Sequence, residues 1–207
     1  MKIEYGTGKI RTAALVAAML VASVAAQTPG PSRVRGTITG VDGNTVSVKT
    51  REGQDVKIDL APTTTFAYMK KMSLADIKPG TPLGTSAVEK NGKLVARELH
   101  LFNPDRPVPG EGHREWDLEP ASTMTNGTVG AVAQVQANQG NELTLRYKGG
   151  EKQVLVPAGI PIVMAIDADR SVLAPGEYAY IAVSAGADGK LTATRLQVSK
   201  DGVKPPQ

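Results

Sequence analysis

Asn44-Thr-Val-Ser-Val-Lys-Thr-Arg-Glu-Gly53 decides the architecture, because the chain carries it twice: Asn141-Glu-Leu-Thr-Leu-Arg-Tyr-Lys-Gly-Gly150 has the same alternation and the same closing turn. Asn91-Gly-Lys-Leu-Val-Ala-Arg-Glu-Leu99 is matched in the same way by Asp188-Gly-Lys-Leu-Thr-Ala-Thr-Arg-Leu196. Both pairs lie 97 positions apart, so one small all-β unit is used twice. Within the first stretch Val46 and Val48 fall on one face, the period of two that marks a half-buried strand.

Working outward, Val34 to Val41 alternates in the same manner, and Asp42-Gly43-Asn44 supplies residues that tolerate the positive φ of a tight hairpin. Val56, Ile58 and Leu60 then carry the apolar face onward, so the unit begins as a three-stranded meander. The second copy runs through Gly127 to Val135, Leu143 to Tyr147 and Val154 to Val156. Its first connection is lengthened through Gln136 to Gly140, an insertion that suits a surface loop. After each meander Phe66 to Met69 and Ile162 to Ile166 read as a further short strand. Ser73-Leu-Ala-Asp-Ile77 predicts a single helical turn, with Ser73 as N-cap and a stop before Pro79. Pro79-Gly80 and Pro175-Gly176 mark one turn in both copies. Two strands joined by a Gly hairpin follow, Leu83 to Glu89 with Leu94 to Phe102, and Tyr178 to Ser184 with Leu191 to Val198.

Five or six short strands with one helical turn between the third and fourth predict a small closed, OB-like β-barrel. Closure also removes the exposed edges of an open meander, and each unit is short for a seven-stranded sandwich. The expected organisation is a signal peptide over 1–26, an OB-like barrel over 27–102 and a Pro/Gly-rich connector over 103–126. A second barrel over 127–202 and a tail over 203–207 complete it. A domain of roughly 60 to 80 residues buries only about 60% of its unfolded surface, so the two barrels are expected to pack against each other.

Lys2, Lys9 and Arg11 precede a short apolar run from Ala13 to Val24, and Val24-Ala25-Ala26 places small residues at a cleavage site. That layout predicts a secretory signal peptide and a periplasmic or secreted protein. The run is shorter than the roughly 20 residues a spanning helix needs, and no later segment is long and apolar enough to cross a membrane as a helix. The chain has no cysteine, which excludes a disulfide framework, thiolate zinc sites and Cys nucleophiles. Cleavage removes three cations and one anion and takes the formal charge from +4 to +2. With Lys and Asp/Glu interspersed, charge gives little support to a nucleic-acid or anionic-lipid surface.

The connector, Asn103 to Asn126, holds the only Trp, Trp116, and one of two His, His113; the other, His100, ends the strand leading into it. Connections this long are usually functional or disordered. Trp116 and Leu118 have no use in a flexible tether, and a packed indole buries about 150–250 Å², so Trp116, Leu118 and His113 are expected at the seam between barrels. The rival reading is a divalent-metal site. His113, Glu115 and Asp117 alternate and would share a face in extended backbone, with His100 within reach as a fourth ligand. A Cu(I) site on Met69 and Met72 is a weaker variant, since two Met at that spacing usually fill a core.

The hydrolase elbow, the zinc helix, the phosphate loop and the dinucleotide fingerprint are all missing from the sequence, so an enzyme is not expected and no cofactor is implied beyond a possible divalent metal. Single-strand binding by OB-like barrels uses aromatic platforms on strands two and three. Thr45 to Leu60 contains no aromatic residue and the second copy offers only Tyr147, which argues against a nucleic-acid partner.

Ser73-Leu-Ala-Asp-Ile-Lys-Pro-Gly80 and Gly110-Glu-Gly-His-Arg-Glu-Trp-Asp-Leu-Glu-Pro-Ala-Ser-Thr-Met-Thr-Asn126 together resemble a group of exported bacterial proteins, frequent in α-proteobacteria. The group has duplicated OB-like domains of unknown function, and some members are labelled a metal ABC transporter component. The resemblance spans essentially the whole mature chain and implies a periplasmic, non-enzymatic protein. Two readings follow: a binding or interaction module for a protein, glycan or small ligand of the cell envelope, or a metal-handling soluble partner of a transporter that uses His113.

Overall fold

The computed structural model describes Met1 and residues 32–134 and 141–205; the expected signal peptide after Met1 and the lengthened connection at 136–140 lie outside these residues. The protein is all-β. Its strands are β1 (Ser32–Asp42), β2 (Thr45–Thr50), β3 (Asp55–Lys71), β4 (Pro82–Lys90), β5 (Lys93–Leu101), β6 (Gly112–Glu115), β7 (Ser122–Gln134), β8 (Asn141–Tyr147), β9 (Gly150–Val156), β10 (Ile162–Ala168), β11 (Tyr178–Ala185) and β12 (Leu191–Val198). Single 3-10 turns at Leu74–Asp76 and Arg170–Val172 separate β3 from β4 and β10 from β11. Ser73 caps the first through Asp76, whose carboxylate accepts from the Ser73 backbone N–H and hydroxyl at 2.8 Å each.

The two repeats do not close on themselves. The meander β1-β2-β3 is completed by the hairpin β11-β12 of the other repeat: β1 runs antiparallel to β11, and β3 runs parallel to β12. These five strands form a closed barrel. The reciprocal ring takes β7-β8-β9 from the second repeat and β4-β5 from the first. It joins β4 to β7 antiparallel and closes with the short parallel contact of Leu94 and Val95 against Val154 and Leu155. Each ring therefore takes strands from both 27–102 and 127–202.

The Pro-Gly turns direct this exchange. Gly80 N–H donates to Val129 O at 2.8 Å, and Val129 N–H returns a bond to Thr81 O at 2.9 Å. At the equivalent place Gly176 N–H donates to Ile38 O at 2.8 Å, and Ile38 N–H donates to Glu177 O at 2.9 Å. Both glycines hold positive φ, +91° and +94°, where a side chain is strained. Each turn thus docks its hairpin onto the first strand of the opposite repeat.

The core of each ring mixes the repeats accordingly. Ile38, Val46, Val48 and Ile58 pack with Ile181, Val183, Leu196 and Val198 in the first; Leu83, Leu99 and Leu101 pack with Val129, Leu143, Leu145 and Val154 in the second. Burying each large side chain contributes about 1.5–3 kcal/mol, so neither repeat alone holds a complete core. The rings are joined where β10 lies antiparallel to the second half of β3, with Tyr68 opposite Ile166 and Met69 opposite Ala165, and parallel to β5 on its other side.

Two expected strands merge in β3. Pro62 does not end it, because the register against β12 jumps from Leu60 opposite Ala193 to Thr65 opposite Arg195. Thr64 holds the bulged loop, accepting from Ala61 N–H at 2.9 Å and donating to Ala193 O at 2.7 Å. In the second copy Pro157 and Pro161 flank the gap between β9 and β10, where two missing N–H donors end the ladder. The connector is also shorter than expected, since β6 folds back on Thr123–Asn126 of β7 as an antiparallel pair.

Candidate functional site

The outer faces of the two rings line a cavity of about 650 Å³. Strands β11 and β12 present Tyr180, Ala182, Arg195 and Gln197 on one side, and β5 and β7 present Glu98, His100, Met124 and Asn126 on the other. Met164, Ala165 and Ile166 of β10 line it between them, and connector residues from Phe102 to Trp116 complete the wall. Strand alternation explains this division: Ile181 and Leu196 point into the first core and Leu99 and Leu101 into the second, so their neighbours face the seam.

The repeat places Glu98 and Arg195 at equivalent positions 97 apart, and likewise His100 and Gln197. The two halves of the wall have therefore diverged in charge.

Four polar atoms of these lining side chains are buried and have no hydrogen-bond partner among the described residues: His100 Nδ1, Trp116 Nε1, Asn126 Oδ1 and Arg195 Nε. Leaving such an atom unsatisfied costs about 1–3 kcal/mol, and their concentration around one cavity marks it chemically. Asn126, 5% exposed, is held from the other end, its Nδ2 donating to Pro109 O at 2.7 Å and anchoring the connector. Gly84 makes room for it: a Cβ there would meet Asn126 Oδ1 at 2.6 Å and the Phe102 ring at 2.9 Å. The His100 ring meets Phe102 edge-on at 4.7 Å. Burial, with the Arg195 charge acting in the same direction, pulls its pKa down to about 4, so it is neutral at physiological pH.

Trp116 is partly buried and flanked by guanidinium groups, Arg33 at 4.2 Å and Arg114 at 5.4 Å from the ring centroid. Its backbone is fixed by Ser122, which accepts from Trp116 N–H at 2.9 Å and donates its hydroxyl to Trp116 O at 2.9 Å. Behind Arg33, the almost fully buried Arg35 grips Asp117 through two bonds of 3.1 and 2.7 Å. Burial opposes the Arg35 charge, but the Asp117 carboxylate more than offsets it. The Arg35 hydrogen bonds hold Asp117 below the usual carboxylate range against its own desolvation. Arg33 reaches the same carboxylate at only 3.6 Å. Arg114 donates to Gly110 O at 2.6 Å, and burial followed by the nearby Arg33 charge depresses its pKa.

The residues expected in a metal cluster are not gathered. His100 lines the large cavity, whereas His113 bonds Thr125 Oγ1 at 2.8 Å and lines a separate hollow of about 410 Å³ with Glu89, Glu142 and Lys152. Burial, with Lys152 adding to it, lowers the His113 pKa. Asp117 is engaged by Arg35, and Glu115 lies exposed on β6. No group of three or more His, Asp or Glu suited to a metal occurs among the described residues. Met69 is buried and Met72 packs against the second core. Leu118 is half-buried and is not part of the cavity lining.

Sequence reasoning singled out Trp116 and His100 but missed Arg33, Arg114, Asn126 and Arg195. The available signal was the pair Arg33 and Arg35 on the polar face of β1, matched by Tyr178 and Tyr180 on β11. Those strands become neighbours only through the exchange. No protein-family model, curated protein or solved structure matches the chain.

Proposed function

We propose that the protein is an exported, non-enzymatic binding module whose ligand occupies the cavity between the barrels. The observation that carries this reading is the convergence of four unsatisfied buried polar atoms on the lining of one cavity of about 650 Å³. A cavity of this size with a mainly apolar lining and a few polar groups suits a small molecule. The signal sequence over 1–26 and the resemblance to exported bacterial proteins support a periplasmic setting. Counted by position within the repeat, each ring has the order 1-2-3-5-4, which supports the reading of two OB-like barrels with exchanged hairpins.

The test is thermal unfolding of the wild-type protein and an Ala182→Trp variant, which fills the cavity, with and without the small-molecule fraction of a periplasmic extract. The extract should raise the wild-type midpoint by several degrees and leave the variant unmoved, and a bound mass should appear by native mass spectrometry on the wild type alone. Equal responses of the two proteins would place the ligand elsewhere.

A further inference from the structure

We propose that the cavity takes a soluble amphipathic anion: a compact apolar or aromatic body carrying a carboxylate, sulfonate or phosphate. This rests on the reading of the cavity as the ligand site. The lining holds Arg33, Arg106, Arg114 and Arg195 against two carboxylates, Glu98 and Asp167. Asp167 is bound by Arg106 at 2.6 Å. Just behind the wall, Arg33 reaches Asp117 at 3.6 Å, and Arg35 already engages both oxygens of that carboxylate. Arg33 and Arg114 therefore share one indole, the Arg33 charge disfavours that of Arg114, and the carboxylate near Arg33 is shared with Arg35.

Two guanidinium groups packed against the one indole of Trp116 are pre-organised donors. An anion held between them satisfies both forks and removes their repulsion. The adjoining surface supplied by Met124, Met164 and Ile166 accepts an apolar body, and His100 beside it is neutral. A cation would meet an excess of positive charge, and a neutral apolar molecule would cover these guanidinium groups without supplying a counter-charge.

The experiment compares two dyes with the same body. 8-Anilinonaphthalene-1-sulfonate carries the anion, and N-phenyl-1-naphthylamine lacks it. Fluorescence titration of the mature protein should show saturable binding of one sulfonate dye per chain, at least ten-fold tighter than the neutral dye. In Arg33→Gln/Arg114→Gln, with unchanged far-UV circular dichroism, the two dyes should bind within two-fold of each other. Arg33→Lys/Arg114→Lys, which keeps the charge without the stacked forks, should retain part of the preference and serves as the folded comparison. 1-Naphthoate should displace the sulfonate dye, whereas vesicles of phosphatidylcholine and phosphatidylglycerol should not; displacement by vesicles alone would overturn the soluble-ligand assignment. Equal binding of both dyes to the wild type, or a preference that survives the Gln pair, would refute the anionic class and leave the cavity reading standing. If neither dye saturates, or if both bind Ala182→Trp as well as wild type, the cavity reading itself fails.

Discussion

Gly36 and Gly127 show how single positions set the barrels. They are equivalent in the two repeats, and each sits where the next strand crosses so closely that a Cβ would lie 2.2 Å from Lys49 O or 2.3 Å from Arg146 O. Both have ordinary φ, so the demand is for space and not for left-handed backbone. Gly36→Ala and Gly127→Ala should each cost about 1–3 kcal/mol in urea unfolding, the range for forcing atoms into a packed site. Gly40→Ala, with nothing within 4 Å of its Cβ position, should stay within ~0.5 kcal/mol of wild type. His100 sets a different dependence. Its folded pKa of about 4 lies below the roughly 6.5 of an unfolded imidazole, so between these values the unfolded chain binds the extra proton. Stability is fully present above about pH 6.5 and falls as pH drops toward 4, by up to roughly 3 kcal/mol from this group. The depressed His113 acts in the same direction. The urea midpoint of His100→Phe should therefore fall less than that of wild type between pH 7 and pH 4.5; an equal fall would mean that His100 is not held neutral by the fold.

At the scale of elements, local pattern carries far where a strand is bounded by its own turns. Thr45–Thr50 and Leu191–Val198 have the bounds their alternation predicts, and the turn at Ser73 closes where Pro79 requires. It fails where the deciding partner is distant. Val56–Leu60 and Phe66–Met69 are expected as separate strands, yet β3 runs through both because Thr64 ties the bulge to Ala193, 129 residues away. Gly112–Glu115 reads as loop among Pro and Gly, yet it becomes β6 by pairing with β7. That pairing splits the connector chemistry by alternation: His113 goes to the hollow beside Lys152, while Arg114 and Trp116 go to the seam. The grouping of His100, His113, Glu115 and Asp117 presupposed one continuous extended face. The chain turns after Glu115 instead, with Glu119 N–H donating to Ser122 Oγ at 3.2 Å and Ser122 N–H to Glu119 O at 3.0 Å.

For the whole molecule, duplication and architecture are separate facts. The repeat is plain in the sequence, but a hairpin closing its own barrel and one closing its neighbour's use the same strands, turns and apolar face. The choice between them resides in long-range bonds such as Gly80 to Val129 and Gly176 to Ile38. The exchange also explains the site. With each repeat contributing to both rings and β3 paired to β10, the outer faces of β5 and β12 meet across one seam, and their equivalent residues Glu98 and Arg195 line the same cavity. Amide-to-amide nuclear Overhauser contacts in the perdeuterated protein test this most directly. The account predicts cross-strand contacts joining the stretch around Arg35 to that around Tyr180, and the stretch around Asn126 to that around Gly84. Contacts joining Arg35 to Leu83 and Gly84, with Asn126 joined to Tyr180 and Ile181, would show repeats closed on themselves and contradict it.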